Sequence, residues 1–334
     1  MTVARSDSYS QSMGADAQRL TIIGDIGVDL VLGPLSDWPR VGTETIMERS
    51  ELRAGGSGAN AALAASYLGG TSRLLSAVGN DDLGSWLSGQ LRGLGATLEV
   101  CDAATTLSVG LIHSCGERSF LTTRGHLDKV SYDLLRPHLT PAPQPNSVAL
   151  LSGAFLTPGL RAHYPRLIAD LNALGYQVAL DTNWPPQDWD AAVRAEVVDW
   201  IGGCTHVLLN ELELASLVES PDVAVAIERL APLLKPGATL VVKAGARGAI
   251  GVQDGQRLEC AAPAATVFDT IGAGDSFNAG YLLARLNGCS LRESLAAGCH
   301  TASNIIARFP RRSLAPGELA GRFALPGFAA LEEV

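Results

Sequence analysis

The sequence predicts an α/β protein: a mostly parallel central sheet covered by helices on both faces, with a smaller β element attached. Three observations predict it. Short, apolar, β-branched runs alternate with helix-like stretches through "SVALLSGAFL", "RLIADLNALG", "YQVALDTNW", "THVLLNELEL" and "ATLVVKAGARGAIGVQDG", the pattern of strands buried on both faces. Two stretches, about 31–53 and 97–125, break that rhythm. The 334 residues, 47% hydrophobic and 18% charged, can fill a large core and exceed what one small core needs.

Taken in order, residues 1–19 are polar and read as a disordered leader, and residues 20–330 as the folded domain. "RLTIIGDIGVDLVLG" gives a strand, a glycine turn and a second apolar run. "TETIMERSELRAGGSGANAALAASYLGG" contains a strand-like piece, a glycine cluster and an alanine-rich helix that stops at Gly69–Gly70. "TLSVGLIHSCGERSFLTTRG" reads as two strands around a turn at Gly116–Glu117, and "PHLTPAPQPN" as a proline-rich connection. The two irregular stretches together predict the smaller β element. "AATVFD" reads as a strand leading into "DTIGAGDSFNAGYL", where apolar residues recur at helical spacing after Asp275.

The net charge of −9 argues against nucleic acid as the main partner, because phosphate backbones call for a basic face. It leaves room for a small phosphate ligand. The six cysteines show no C-x-x-C pair or zinc-like spacing with histidine, and read as thiols of a reducing compartment. No secretory segment opens the chain and no apolar stretch is long enough to span a bilayer, so a cytoplasmic location is expected.

Gly272, Ala273, Gly274 and Asp275 fall at a predicted helix start. Backbone amides there lack partners, the helix dipole is positive, and small side chains let an anion approach closely. A carboxylate in that place either complements the dipole or takes a proton from a hydroxyl while the amides stabilise a transferring phosphoryl group. The chain has no G-x-x-x-x-G-K-[ST], and "GDIGVD" is not the G-x-G-x-x-G of a dinucleotide-binding turn.

"DTIGAGDSFNAGYL" and "GGSGANAALAASYLGG" resemble, in order, the second and first signatures of the ribokinase-like (PfkB) carbohydrate kinases. The resemblance covers roughly residues 20–330. It implies a Rossmann-like three-layer α/β fold with a β-sheet lid from about 31–53 and 97–125, and transfer of phosphate from ATP with Mg²⁺ to a hydroxymethyl-type hydroxyl. By the resemblance, Asp275 is the catalytic base and the backbone of Gly272, Ala273 and Gly274 the anion hole. Asp29 binds substrate hydroxyls, with Asp25 the weaker candidate, and Gly56, Ser57 and Asn60 line the sugar site. Asn210 and Glu213, the N-x-x-E element, organise Mg²⁺ through water; the plain alternative is a helix cap with a solvated Glu213. Lys243, Gly245 and Gly248 belong to the nucleotide loop, and His300 neighbours the nucleotide unless it is simply packed.

"LDTNWPPQDW" resembles the D-x-N-x-R segment of fructokinase-like and ketodeoxygluconate-kinase-like members through Asp181 and Asn183. Pro185 stands where the arginine would be, and Arg124 is either its replacement or a surface charge. Asp269 is a candidate monovalent-cation ligand for K⁺, although "ARFPRRS" departs from the glycine–alanine ending that accompanies that site. The family also implies a homodimer through the lid. A small sugar is the favoured substrate. A nucleoside, or a sugar-binding protein without catalysis, is the alternative.

Overall fold

Thirteen strands run through the described part of the chain: β1 (Leu20–Gly24), β2 (Gly27–Leu35), β3 (Arg49–Gly55), β4 (Ser72–Gly79), β5 (Ala96–Cys101), β6 (Leu107–His113), β7 (Arg118–Thr122), β8 (Val148–Ser152), β9 (Gln177–Leu180), β10 (His206–Asn210), β11 (Thr239–Lys243), β12 (Ala249–Gln253) and β13 (Gln256–Cys260). The computed structural model describes residues 19–311 and 314–320. The expected leader, Arg19 apart, and residues 312–313 and 321–330 of the expected domain fall outside them.

Nine of these strands form one sheet in the order β13-β12-β11-β10-β9-β8-β1-β4-β5. Every pair from β11 to β5 is parallel, and β12 and β13 close one edge antiparallel. Alternation along each strand sorts the core into two layers. Leu20, Ile22, Leu150, Leu208 and Val241 pack with the helices Ser57–Tyr67, Ala273–Leu286 and Leu291–Ile306. Ile23, Leu151, Leu209 and Val242 face the opposite layer, which includes the helices Tyr164–Ala173 and Ala191–Ile201. Each such side chain contributes on the order of 1.5–3 kcal/mol by burial.

The other four strands form a small sheet in the order β3-β2-β6-β7. β6 and β7 flank the turn at Gly116. Its boundaries differ from the sequence expectation. The small sheet begins at Gly27, and Ala96–Cys101 pairs with β4 as the edge of the main sheet, from Leu74↔Ala96 to Gly79↔Cys101. A half-exposed edge strand carries the same sparse apolar pattern as a hairpin strand, so periodicity could not separate them.

A second difference concerns "AATVFD". Residues 261–270 contain no strand. Their polar groups find other partners: the Phe268 N–H donates to the Ile306 carbonyl, and the Phe268 and Asp269 carbonyls accept from Arg49 and Arg311. Among the described residues, no helix is long and apolar enough to cross a membrane.

Candidate active site

The sheet runs outward from β1 in two directions, through β4 on one side and β8 on the other. Such a reversal opens a crevice at the carboxyl ends of the strands, where open α/β sheets bind ligands. The residues at those ends are Asp25 after β1, Gly153 after β8, Asp181 and Asn183 after β9, Asn210 closing β10 and Lys243 closing β11.

Asp275 lies in the first turn of the Ala273–Leu286 helix, whose N-cap is Gly272 at φ 70°. A side chain at Gly272 would be strained by that dihedral and would sit 2.9 Å from the Asn60 amide nitrogen. First-turn amides have no intrahelical acceptor; the Ala273 N–H turns back to the Thr270 carbonyl at 3.2 Å. Asn60, in the alanine-rich helix, donates from Nδ2 to Asp275 Oδ2 at 3.0 Å. Burial pushes the Asp275 carboxyl up to about 7, reinforced by the Asp181 carboxylate and opposed by the Asn60 hydrogen bond.

Asp181 anchors the neighbouring cluster. Its Oδ2 accepts from Lys243 Nζ at 2.6 Å and from Asn278 Nδ2. Asn278 stands one turn after Asp275 on the same helix face. A Cβ on Gly274 would lie 3.4 Å from Lys243 Nζ, so the lysine reaches the helix start. Burial works to lower the Lys243 ammonium, but the Asp181 and Glu213 carboxylates outweigh it and hold it above its usual value.

Asn210 and Glu213 form a capping box: Glu213 N donates to Asn210 Oδ1 at 2.9 Å, and Asn210 N donates to Glu213 Oε2 at 2.8 Å. The plain alternative is therefore correct about the cap but not about solvation, because Glu213 is buried. Burial raises its carboxyl to about 7, with Asp181 adding to the effect. Asp181, Glu213 and Asp275 thus share one lysine. Among the described residues no three His, Cys, Asp or Glu side chains are grouped to hold a metal ion directly, so this local excess of negative charge leaves room only for a cation that keeps its waters.

On the substrate side, Asn183, at φ 59°, donates from Nδ2 to Ser57 Oγ at 3.0 Å and accepts the Gly153 N–H at 2.7 Å. The Ser57 N–H donates to Asp25 Oδ1 at 3.0 Å. A side chain at Gly153, at φ 71°, would overlap that carboxylate. Gly56, at φ 82°, caps the same helix. Asp25, the weaker candidate by sequence, is thus tied directly to Ser57. Asp29 pairs in register with Arg53 across β2 and β3. Burial raises both carboxyls to about 6.

The remaining candidates are more peripheral. Gly245 and Gly248 shape the turn between β11 and β12, and His300 sits on an exposed face of its helix. Arg124 has an 89% exposed side chain and pairs with Asp128. Asp269 does not fit a potassium ligand. Its Oδ1 accepts from Ile271 N, Arg53 Nη2 and Arg311 Nη2 at 3.0, 3.2 and 2.7 Å, and its Oδ2 accepts from Arg53 Nη1 at 3.3 Å. Two guanidiniums fill the places where a metal cation would bind. Neither arginine was singled out by sequence. Arg53 shares the buried β3 face with Glu51, and a charged residue in an alternating strand reads as its solvent side.

An open α/β sheet with a helix-start turn, a buried carboxylate and a lone lysine at its strand ends has the parts of a phosphotransferase site. Residues 17–313 match the family described as "pfkB family carbohydrate kinase", and the chain belongs to that family of sugar and nucleoside kinases. It is 27% identical over 284 residues to a nucleoside kinase of Methanothermobacter thermautotrophicus, covering 82% of this chain and 84% of that protein. It is 32% identical over 259 residues to a fructokinase of Klebsiella pneumoniae, covering 73% and 80%. The fold is shared with a probable sugar kinase from Rhizobium etli at a TM-score of 0.75 and 22% identity, covering 92% and 98% of the two chains.

Proposed function

We propose that the chain transfers the γ-phosphoryl group of ATP to a hydroxymethyl hydroxyl of a small sugar or sugar acid, with Asp275 as general base. The observation that carries this reading is the Asp275 carboxyl: buried, raised to about 7, held by Asn60 and set beside the first-turn amides. A base near the working pH accepts a hydroxyl proton efficiently. Gly272, Ala273 and Gly274 line the anion hole, where the Ala273 N–H would have to leave its Thr270 acceptor to take part. Asp25, Asp29, Gly56, Ser57, Asn60 and Asn183 orient the sugar. Lys243, with the Gly245–Gly248 turn, receives the nucleotide phosphates, and His300 borders the nucleotide. Glu213, with Asn210, holds Mg²⁺ through water; when bound, that ion neutralises phosphate charge.

The small sheet serves as a lid that excludes water, which otherwise competes as acceptor. Trp38, Val41, Ile46, Phe120 and Leu121 leave apolar surface exposed on it and its loop, which supports a homodimer through this face. The six free cysteines support a cytoplasmic location.

A nucleoside acceptor is favoured by one observation. Trp184 follows Asn183 directly and is 45% exposed, so an aromatic face stands beside the substrate-side residues. ATP consumption with Mg²⁺ across free sugars, sugar acids and nucleosides, with Asp275→Asn in parallel, tests both readings. A sugar should trigger turnover, and the variant should lose about 10²–10⁴ in rate. Turnover with nucleosides alone would transfer the assignment to them, and equal turnover in both proteins would remove the base role from Asp275.

A further inference from the structure

Arg311 is buried, and its guanidinium is spent on one turn. Nη2 donates to the Asp269 carbonyl at 2.8 Å and to Asp269 Oδ1 at 2.7 Å, and Nη1 donates to the Ile271 carbonyl. Two carbonyls and a carboxylate converging on one positive group make the oxygen cage of a cation site. Here the cation is a side chain. The segment bearing it is anchored, since Phe309 stacks on Phe268 and Arg49 lies over both rings at 5.4 and 5.8 Å. Arg53 spans both oxygens of the Asp269 carboxylate, sharing Oδ1 with Arg311, and pairs with Glu51 on β3. Burial and the neighbouring Arg53 lower the Arg311 guanidinium to about 10, so it stays charged at neutral pH. The caged turn leads directly into Gly272 and Asp275, and the Ile271 side chain packs on Val31 and Ile112 of the small sheet.

We infer that Arg311 is a built-in cation that replaces a monovalent metal ion at the Asp269–Gly272 turn, a positioning residue for Asp275 that makes the enzyme independent of potassium. This rests on the kinase reading for its activity arm only. A metal ion entering the cage would meet two guanidiniums and oxygens whose lone pairs already accept charge-assisted hydrogen bonds.

The test compares the full chain in potassium, sodium and tetramethylammonium chloride at equal ionic strength, by melting temperature and by turnover. The unmodified protein should respond identically to all three salts. Arg311→Ala should lose about tenfold to a hundredfold in kcat, as displaced catalytic groups do, and recover with potassium or free guanidinium but not with tetramethylammonium. Arg311→Lys should fall between the two without gaining a potassium response. Potassium-selective stabilisation or activation of the unmodified protein would overturn the inference, as would an unchanged kcat in Arg311→Ala. If Arg311→Ala does not fold, the lysine variant and the salt series decide. If no acceptor supports turnover, the kinase reading fails, and the melting series still decides the cation question.

Discussion

Two clusters of buried charge lie on either side of the Gly272 turn, and they are balanced differently. At the strand ends, the carboxylates of Asp181, Glu213 and Asp275 face the single ammonium of Lys243, and the carboxyls of Glu213 and Asp275 are pushed up to about 7. Around Asp269, two guanidiniums meet the carboxylates of Asp269 and Glu51, with Asp29 close enough to be felt. The nearly balanced cluster has its charges paired within the fold, Arg53 Nε and Arg311 Nε apart, and chiefly holds the chain. An unbalanced one is unfavourable until cations and phosphates enter, which is the condition of a binding site.

The largest effect should come from breaking the balanced cluster. Asp269→Ala leaves Arg53 and Arg311 buried without their shared carboxylate. Loss of one partner of a buried pair costs about 3–5 kcal/mol, to be read from urea unfolding with the slope unchanged. A cost of only a few tenths would mean that water or other acceptors replace Asp269, and the contrast between the clusters would fail.

Substitution in the unbalanced cluster should act in the opposite direction. The folded-state carboxyls of Asp275 and Glu213 sit above their unfolded values of 3.8 and 4.5. The folded protein therefore binds more protons than the unfolded chain between those values, and this contribution is lost as pH rises through about 7. Asp25 and Asp29, raised to about 6, complete most of their loss earlier. His126 and His206 are lowered by burial and act in the opposite sense, but only below their unfolded value of 6.5. The window from pH 6.5 to 8 is thus left to Asp275 and Glu213, and the melting temperature of the ligand-free protein should fall across it. Asp275→Asn keeps an acceptor for Asn60, so this variant should melt higher than the parent at pH 8 while losing activity. A flat or rising profile in the parent would show that the two carboxyls are not strained by burial.

Much of this was legible in the sequence because the relevant signals are local. Apolar, β-branched runs mark β8 to β11, Gly272–Asp275 marks a helix start, and the motifs carry Asn60, Ser57 and Asn183, which meet Asp275 or one another in the fold. What escaped depends on distant partners. Arg53 and Arg311 lie 216 and 42 residues from Asp269 along the chain, and no periodicity distinguishes a buried paired arginine from a solvated one. The segment at Ala264–Asp269 has the composition of a strand, yet at Phe268 and Asp269 arginine side chains and the end of the Leu291–Ile306 helix, rather than a neighbouring strand, take up the backbone groups. Asp181 and Asn278 meet only because β9 ends opposite the Ala273–Leu286 helix.

Arg124 provides the smallest expected effect and the control for both clusters. Its side chain is 89% exposed, and its one ion pair, to Asp128 at 3.4 Å, lies four residues along in open solvent. Exposed pairs of this kind contribute about 0.2–1 kcal/mol and are screened by salt. Arg124→Ala should therefore stay within about 0.5 kcal/mol of the parent, the range of ordinary surface substitutions, with KM for the acceptor unchanged. A KM that rises selectively for an acidic sugar would mean that the small sheet closes far enough to bring this guanidinium onto the substrate. Arg124 would then take the role left vacant by Pro185, and the acceptor would be a sugar acid.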